Sequence, residues 1–104
     1  MTANFSAQGE WSLHQSNGIG VGLTLFQDSN GLLKGSANTG SMKGSLESGG
    51  KVDGDSIFFI VKWDSGSRGR YAGTRSRFDR RLTGTTSDLV HPENVATWST
   101  VKQF

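Results

Sequence analysis

Every arginine of the chain falls in one fourteen-residue stretch, residues 68–81, reading RGRYAGTRSRFDRR. Six guanidinium groups interleaved with Tyr71 and Phe78 are the ingredients of phosphate contact combined with base stacking. With Asp79 the stretch carries a local charge of +5, while the remaining five lysines and eight acids sum to −3. Attraction for an anion is therefore concentrated at one place. A second group, Asp88, His91 and Glu93, has the residue types of an acid–base or metal site, since histidine titrates near neutral pH. The same residues suit a loop in which Asp88 and Pro92 fix the turn before a strand. Asp53 and Asp55 flank Gly54 and read as turn chemistry. The chain has no cysteine, which excludes a disulfide framework and thiolate nucleophiles. No phosphate-binding glycine loop, zinc-ligand spacing or nucleophile elbow occurs. No catalytic residue, metal or cofactor is assigned.

These groups must be positioned by strands. Glycine is abundant at 15 residues, proline occurs once, and the chain has 104 residues. Glycine costs roughly 1 kcal/mol in a helix interior, and no segment shows a sustained 3.6-residue apolar period. Short alternating runs joined by turn residues predict strands over 10–15, 20–27, 32–38, 41–48, 56–63, 70–78, 80–88 and 95–103. Asn30-Gly31 suits the positive φ values of a tight hairpin turn. The segment 49–56 is a turn cluster, part of which extends the fourth strand. One local pattern recurs: apolar residue, any residue, Gly, then Ser or Thr. It reads Leu33-Lys34-Gly35-Ser36, Met42-Lys43-Gly44-Ser45, Tyr71-Ala72-Gly73-Thr74 and Leu82-Thr83-Gly84-Thr85. The apolar residue and the glycine share a face, and a strand glycine marks a bend or a close approach. A small barrel needs such bends to close. Residues 1–104 are thus expected to form one all-β domain, an eight-stranded antiparallel up-and-down β-barrel, with a β-sandwich as the alternative. Closure removes the exposed sheet edges.

The strand order and several motifs resemble the avidin–streptavidin family of calycin-like barrels. Gly9-Glu10-Trp11 is similar to the family's opening Gly-x-Trp. Leu33-Lys34-Gly35-Ser36 is similar to its third strand. Gly50-Lys51-Val52-Asp53-Gly54 followed by IFFIVKW is similar to its central segment, and Tyr71-Ala72-Gly73 to the start of the next strand. The resemblance covers about residues 9–88 and implies a barrel with a ligand pocket at one end. The family's biotin-contacting Asn and Ser positions are Leu13 and Asn17 here, and its Tyr and Ser after the third-strand glycine are Ala37 and Thr39. The aromatic wall is kept in part, at Trp63 and Tyr71. The resemblance therefore implies a pocket without specifying biotin.

The leading expectation is a non-catalytic protein binding a small organic molecule at the barrel mouth. Trp63 ends the most apolar strand and is the first candidate contact. Tyr71 and Trp98 are the other aromatic candidates, since such rings line ligand cavities. Asn17, Thr86 and Asp88, near strand ends, are the polar candidates. Arg75 shares a face with Tyr71 and, near a mouth, would pair with an anionic ligand. One alternative is an enzyme on the same barrel that accelerates cyclisation or isomerisation by positioning. Another is nucleic-acid binding through residues 68–81, whose opening RGRY resembles RGG-type RNA-binding segments. Alternation there puts Tyr71, Gly73, Arg75 and Arg77 on one face, so neither face is wholly basic. Phe58 and Ile60 fall on the outer face of their strand, which predicts a homo-oligomeric contact, dimer or tetramer. No apolar run approaches the roughly 20 residues of a membrane helix, and the N-terminus has no signal-peptide pattern. A cytoplasmic location without a membrane partner is expected.

Overall fold

A computed structural model describes residues 2–104. Its nine strands are β1 (Gly9–Gln15), β2 (Gly20–Gln27), β3 (Leu33–Thr39), β4 (Met42–Leu46), β5 (Lys51–Asp53), β6 (Ser56–Trp63), β7 (Arg68–Arg75), β8 (Arg81–Asp88) and β9 (Val95–Gln103). Each longer strand pairs antiparallel with its neighbours, β1 with β9 and β4 with β6. This closes an eight-stranded up-and-down barrel. β5 is the additional ninth strand. It pairs with the first half of β6 while β4 pairs with the second half, so β4 and β5 follow one another along the same side of β6. The predicted fourth strand thus breaks at the residue 47–50 turn.

Alternation decides the inside. On β6, Ile57, Phe59, Val61 and Trp63 are buried, while Phe58 and Ile60 lie half-buried on the outer face. The predicted hairpin between β2 and β3 forms with Gly31 at φ 83°, and Asp28 Oδ1 accepts from the Asn30 and Leu32 N–H groups at 2.8 and 2.9 Å. β7 stops at Arg75 rather than at residue 78. Ser76 Oγ accepts from Phe78 N at 3.1 Å and Asp79 Oδ1 accepts from Arg81 N at 3.0 Å. Those local bonds outcompete the ladder and make residues 76–80 a turn.

Two glycines of the recurring pattern, Gly44 and Gly73, leave inward space that tryptophans use. A Cβ on Gly73 would lie 2.7 Å from Trp98 Cζ2, and one on Gly44 would lie 2.9 Å from Trp63 Cε3. The two indoles can lie against the barrel wall because those positions carry no side chain.

The barrel ends differ. One is plugged by the segment before β1, whose Phe5 and Ala7 are buried. Gln27 clamps it, accepting from Ala7 N at 2.8 Å and donating to Phe5 O at 3.1 Å. Phe104 packs edge-on against Trp11 and Phe5, with ring centroids 4.9 and 6.1 Å away. The opposite end, where the β1–β2, β3–β4, β6–β7 and β8–β9 connections gather, is open.

Candidate functional site

The open end holds a cavity of about 510 Å³, within the ordinary range for small-molecule sites. Trp63, Tyr71, Asn17, Thr86 and Asp88 all line it. Tyr71 and Thr86 face inward as register partners on β7 and β8. Trp63 comes from the end of β6, Asn17 from the β1–β2 turn and Asp88 from the end of β8.

Tyr71 is the organising residue. Its ring stacks on Phe59 with centroids 5.0 Å apart and 14° between planes, and meets Trp98 edge-on at 6.4 Å. Its hydroxyl donates to Gln15 Oε1 at 3.0 Å. Gln15 Nε2 in turn donates to Asn17 Oδ1 at 3.2 Å. Burial pushes the Tyr71 phenol up from its ordinary pKa, partly offset by the Thr86 hydroxyl, so the phenol stays a neutral donor at physiological pH.

The three tryptophans divide by their indole N–H groups. Trp11 Nε1 donates to Ala7 O and Trp98 Nε1 to Thr85 O, both at 2.9 Å. Trp63 Nε1 has no acceptor among the described residues and belongs to the mouth. It is therefore free to donate to a bound molecule.

Two predicted contacts lie elsewhere. Trp98 is buried behind Tyr71 and does not line the mouth cavity. Arg75 points inward, as its shared face with Tyr71 requires, but at the plugged end. Its Nη2 donates to Asp55 Oδ1 at 2.9 Å, its Nη1 to the Phe104 main-chain oxygen at 3.2 Å, and its guanidinium lies 5.2 Å from the Phe5 ring centroid. It stands four positions along the strand from Tyr71, about 13 Å at the usual rise. Arg75 is a structural residue of the plug, not a partner for an anion in the mouth.

Asp88 and Asn17 line the cavity with side chains already engaged. Asp88 Oδ1 accepts from Val90 N at 2.8 Å and His91 N at 3.2 Å. Asn17 Oδ1 accepts from Ile19 N at 3.1 Å as well as from Gln15. Each keeps a second polar atom, Asp88 Oδ2 and Asn17 Nδ2, with no hydrogen bond to the described residues. His91 Nδ1 and Glu93 are 3.8 Å apart and well exposed, and no metal-holding cluster of His, Asp and Glu occurs among the described residues.

Sequence reasoning missed Gln15 and the Arg68–Glu47 pair. Alternation from Trp11 and Leu13 does put Gln15 on the inner face, so its signal was present. Arg68 donates from Nε and Nη2 to the two Glu47 oxygens at 2.6 and 2.8 Å, bracing β7 against the residue that follows β4, across the outer face of β6. That hydrogen bond, first, holds the Glu47 carboxyl below its usual range. Residues 21 apart in sequence give no advance sign of such a contact. The six arginines run from Arg68 at the mouth, through Arg70 over the Phe58 ring outside the barrel, to the four at the plugged end. They do not form one surface.

No protein-family model matches the chain, and neither does any curated protein or solved structure.

Proposed function

We propose that the protein binds a small organic molecule in the barrel mouth, without catalysing its conversion. The observation that carries this reading is the pairing of a free Trp63 indole N–H with the buried Tyr71 hydroxyl in one cavity. An apolar ring or chain would lie against Trp63 and Tyr71. Its polar end would reach Thr86, Gln15 and the Trp63 N–H, a donor and acceptor set suited to a neutral carbonyl, amide or hydroxyl. A closed barrel of this size holds one small ligand.

The avidin-like resemblance supports the same reading without naming a ligand. Leu13, at the position of the family's biotin-contacting asparagine, is a fully buried core residue here. A homo-oligomer is part of this reading. Its support is the outer face of β6, where Phe58 stands beside Ala72 and Ile60 beside Arg70 of β7.

The test is native mass spectrometry of protein taken from its own host, followed by thermal-shift measurement with whatever small molecule co-purifies. Ala96→Trp fills the mouth without touching the plug. The expected result is a ligand-induced rise in Tm that Ala96→Trp abolishes. An equal rise in that variant would overturn the mouth as the site. Sedimentation at micromolar protein decides the oligomer, and a monomer would remove it.

A further inference from the structure

The β7–β8 turn, residues 76–80, departs from the rest of the chain in two ways. Phe78 at its apex is 98% exposed. Arg80 has φ 62°, whereas the positive-φ glycines occupy eight other positions. A side chain in the left-handed region is disfavoured, and this chain uses glycine freely elsewhere. Arg80 is held there by its own bond to the plug, its Nε donating to the Phe104 main-chain oxygen at 3.1 Å. The turn is also tied to the rest of the protein by hydrogen bonds. Arg80 N donates to Ser76 O at 2.9 Å, Gln103 Nε2 to Asp79 O at 2.9 Å and Phe104 N to Arg80 O at 2.7 Å. Its main-chain groups are thus engaged within the protein, while the phenyl ring is held out alone.

Arg77, Arg80 and Arg81 lie within three residues of that ring in sequence and are exposed, with Asp79 the one acid of the turn. Arg77 touches Asp55 at 3.3 Å but is 86% exposed, and Asp55 is already held by Arg75. We infer that this turn docks the protein peripherally on an anionic lipid surface, Phe78 entering the interface and the three arginines meeting headgroup phosphates. Charge complementarity selects the occupant, and the single apical ring selects among anionic ones. Single-stranded nucleic acid is tracked by a basic groove with successive stacking rings, which one ring on a narrow turn does not provide. A phenyl ring flanked by basic side chains matches the headgroup boundary. The lack of a long apolar run bears on spanning a bilayer, not on this contact. Because the turn belongs to the plugged end, docking leaves the cavity mouth facing water.

The test is flotation with vesicles of equal parts phosphatidylcholine and phosphatidylserine, against vesicles of phosphatidylcholine alone. Binding is expected only to the mixed vesicles and is weakened by salt. Phe78→Ala should lower partitioning about tenfold, the factor expected from losing most of one buried aromatic side chain. Arg77→Gln and Arg81→Gln should each lower it about fivefold, and Phe78→Trp should preserve it. Thermal unfolding of the Phe78 and Arg81 variants should match the parent, since these side chains are outside the core, whereas Arg77→Gln also loses its bond to Asp55 and should be slightly less stable. Equal binding to both vesicle types, or partitioning unchanged by Phe78→Ala, would overturn the inference. So would binding of a single-stranded oligonucleotide that Phe78→Ala abolishes while vesicles stay unbound.

Discussion

Tyr71 donates its hydroxyl to Gln15 Oε1 at 3.0 Å, joining β7 to β1 across the barrel mouth. The two residues are 56 positions apart in sequence. Their contact turns a core tyrosine into a fixed, neutral donor at the edge of a cavity. It also supplies a readout, because the chain contains one tyrosine.

The tyrosinate absorbance titration of the folded protein should have its midpoint above the ordinary value of 10.0. Burial favours the neutral phenol, so the folded pKa exceeds the unfolded one. The stability this contributes is full below about pH 10 and is lost as pH rises through the folded pKa. Gln15→Ala hydrates the site and removes the acceptor, so the midpoint should fall towards 10. An unmoved midpoint would show that Gln15 does not govern the phenol.

At the plugged end, burial pushes the Asp55 carboxyl up, but hydrogen bonds from Arg75 and then Arg77 outweigh it and hold the carboxyl below its ordinary 3.8. A depressed folded pKa contributes stability above the unfolded pKa, lost as pH falls through the folded one. Glu47, below its ordinary 4.5 because of Arg68, acts in the same direction. Thermal unfolding should therefore be constant near neutrality and fall as pH drops below about 4. Asp55→Asn should be less stable at pH 7 and show a shallower acid slope, measured by circular dichroism melts.

Gly73→Ala tests the close approach under Trp98. Its Cβ would lie 2.4 Å from the Thr83 main-chain oxygen and 2.7 Å from Trp98 Cζ2. Neither the backbone nor a buried indole can move freely, so a loss of about 2–3 kcal/mol in urea unfolding is expected, the range of core overpacking. Thr74→Ala, next in sequence but exposed, should change stability by no more than about 0.5 kcal/mol.

Trp63→Phe should separate packing from binding. The side chain is 7% exposed, so shortening it should cost about 1–2 kcal/mol through lost contact. It also removes the one indole N–H without a protein acceptor. Affinity for the native ligand should then fall about tenfold, the worth of one well-placed hydrogen bond to a desolvated partner. Trp98→Phe, which disturbs the core behind Tyr71, should lower stability with a smaller effect on affinity, both followed by calorimetry.

The recurring Gly pattern shows how much of the fold is local. Leu33, Tyr71 and Leu82 are buried and share the inner face with Gly35, Gly73 and Gly84, as a period of two demands. The turn at residues 28–31 was equally legible, since Asp28 and Gly31 carry its chemistry themselves. Where local signals compete, legibility stops. The Ser76 and Asp79 side chains end β7 three residues before its alternation does. β5 forms because β6 offers Lys51–Asp53 an edge, which no short window reveals.

Arg75 and Tyr71 mark the boundary between the two kinds of information. Sequence alone determines that both point into the barrel, because side-chain direction along a strand is set by parity. It also determines that the chain makes strands, where most of them run and which strand-borne rings face inward. Which end of the barrel is open was decided only by tertiary structure. Phe5, Phe104 and the Arg75–Asp55 pair close one end, leaving Tyr71, Gln15 and Trp63 the other. Parity fixes a face but carries no information about distance along it, and the segments that meet at a barrel end are brought there by closure, not by sequence proximity.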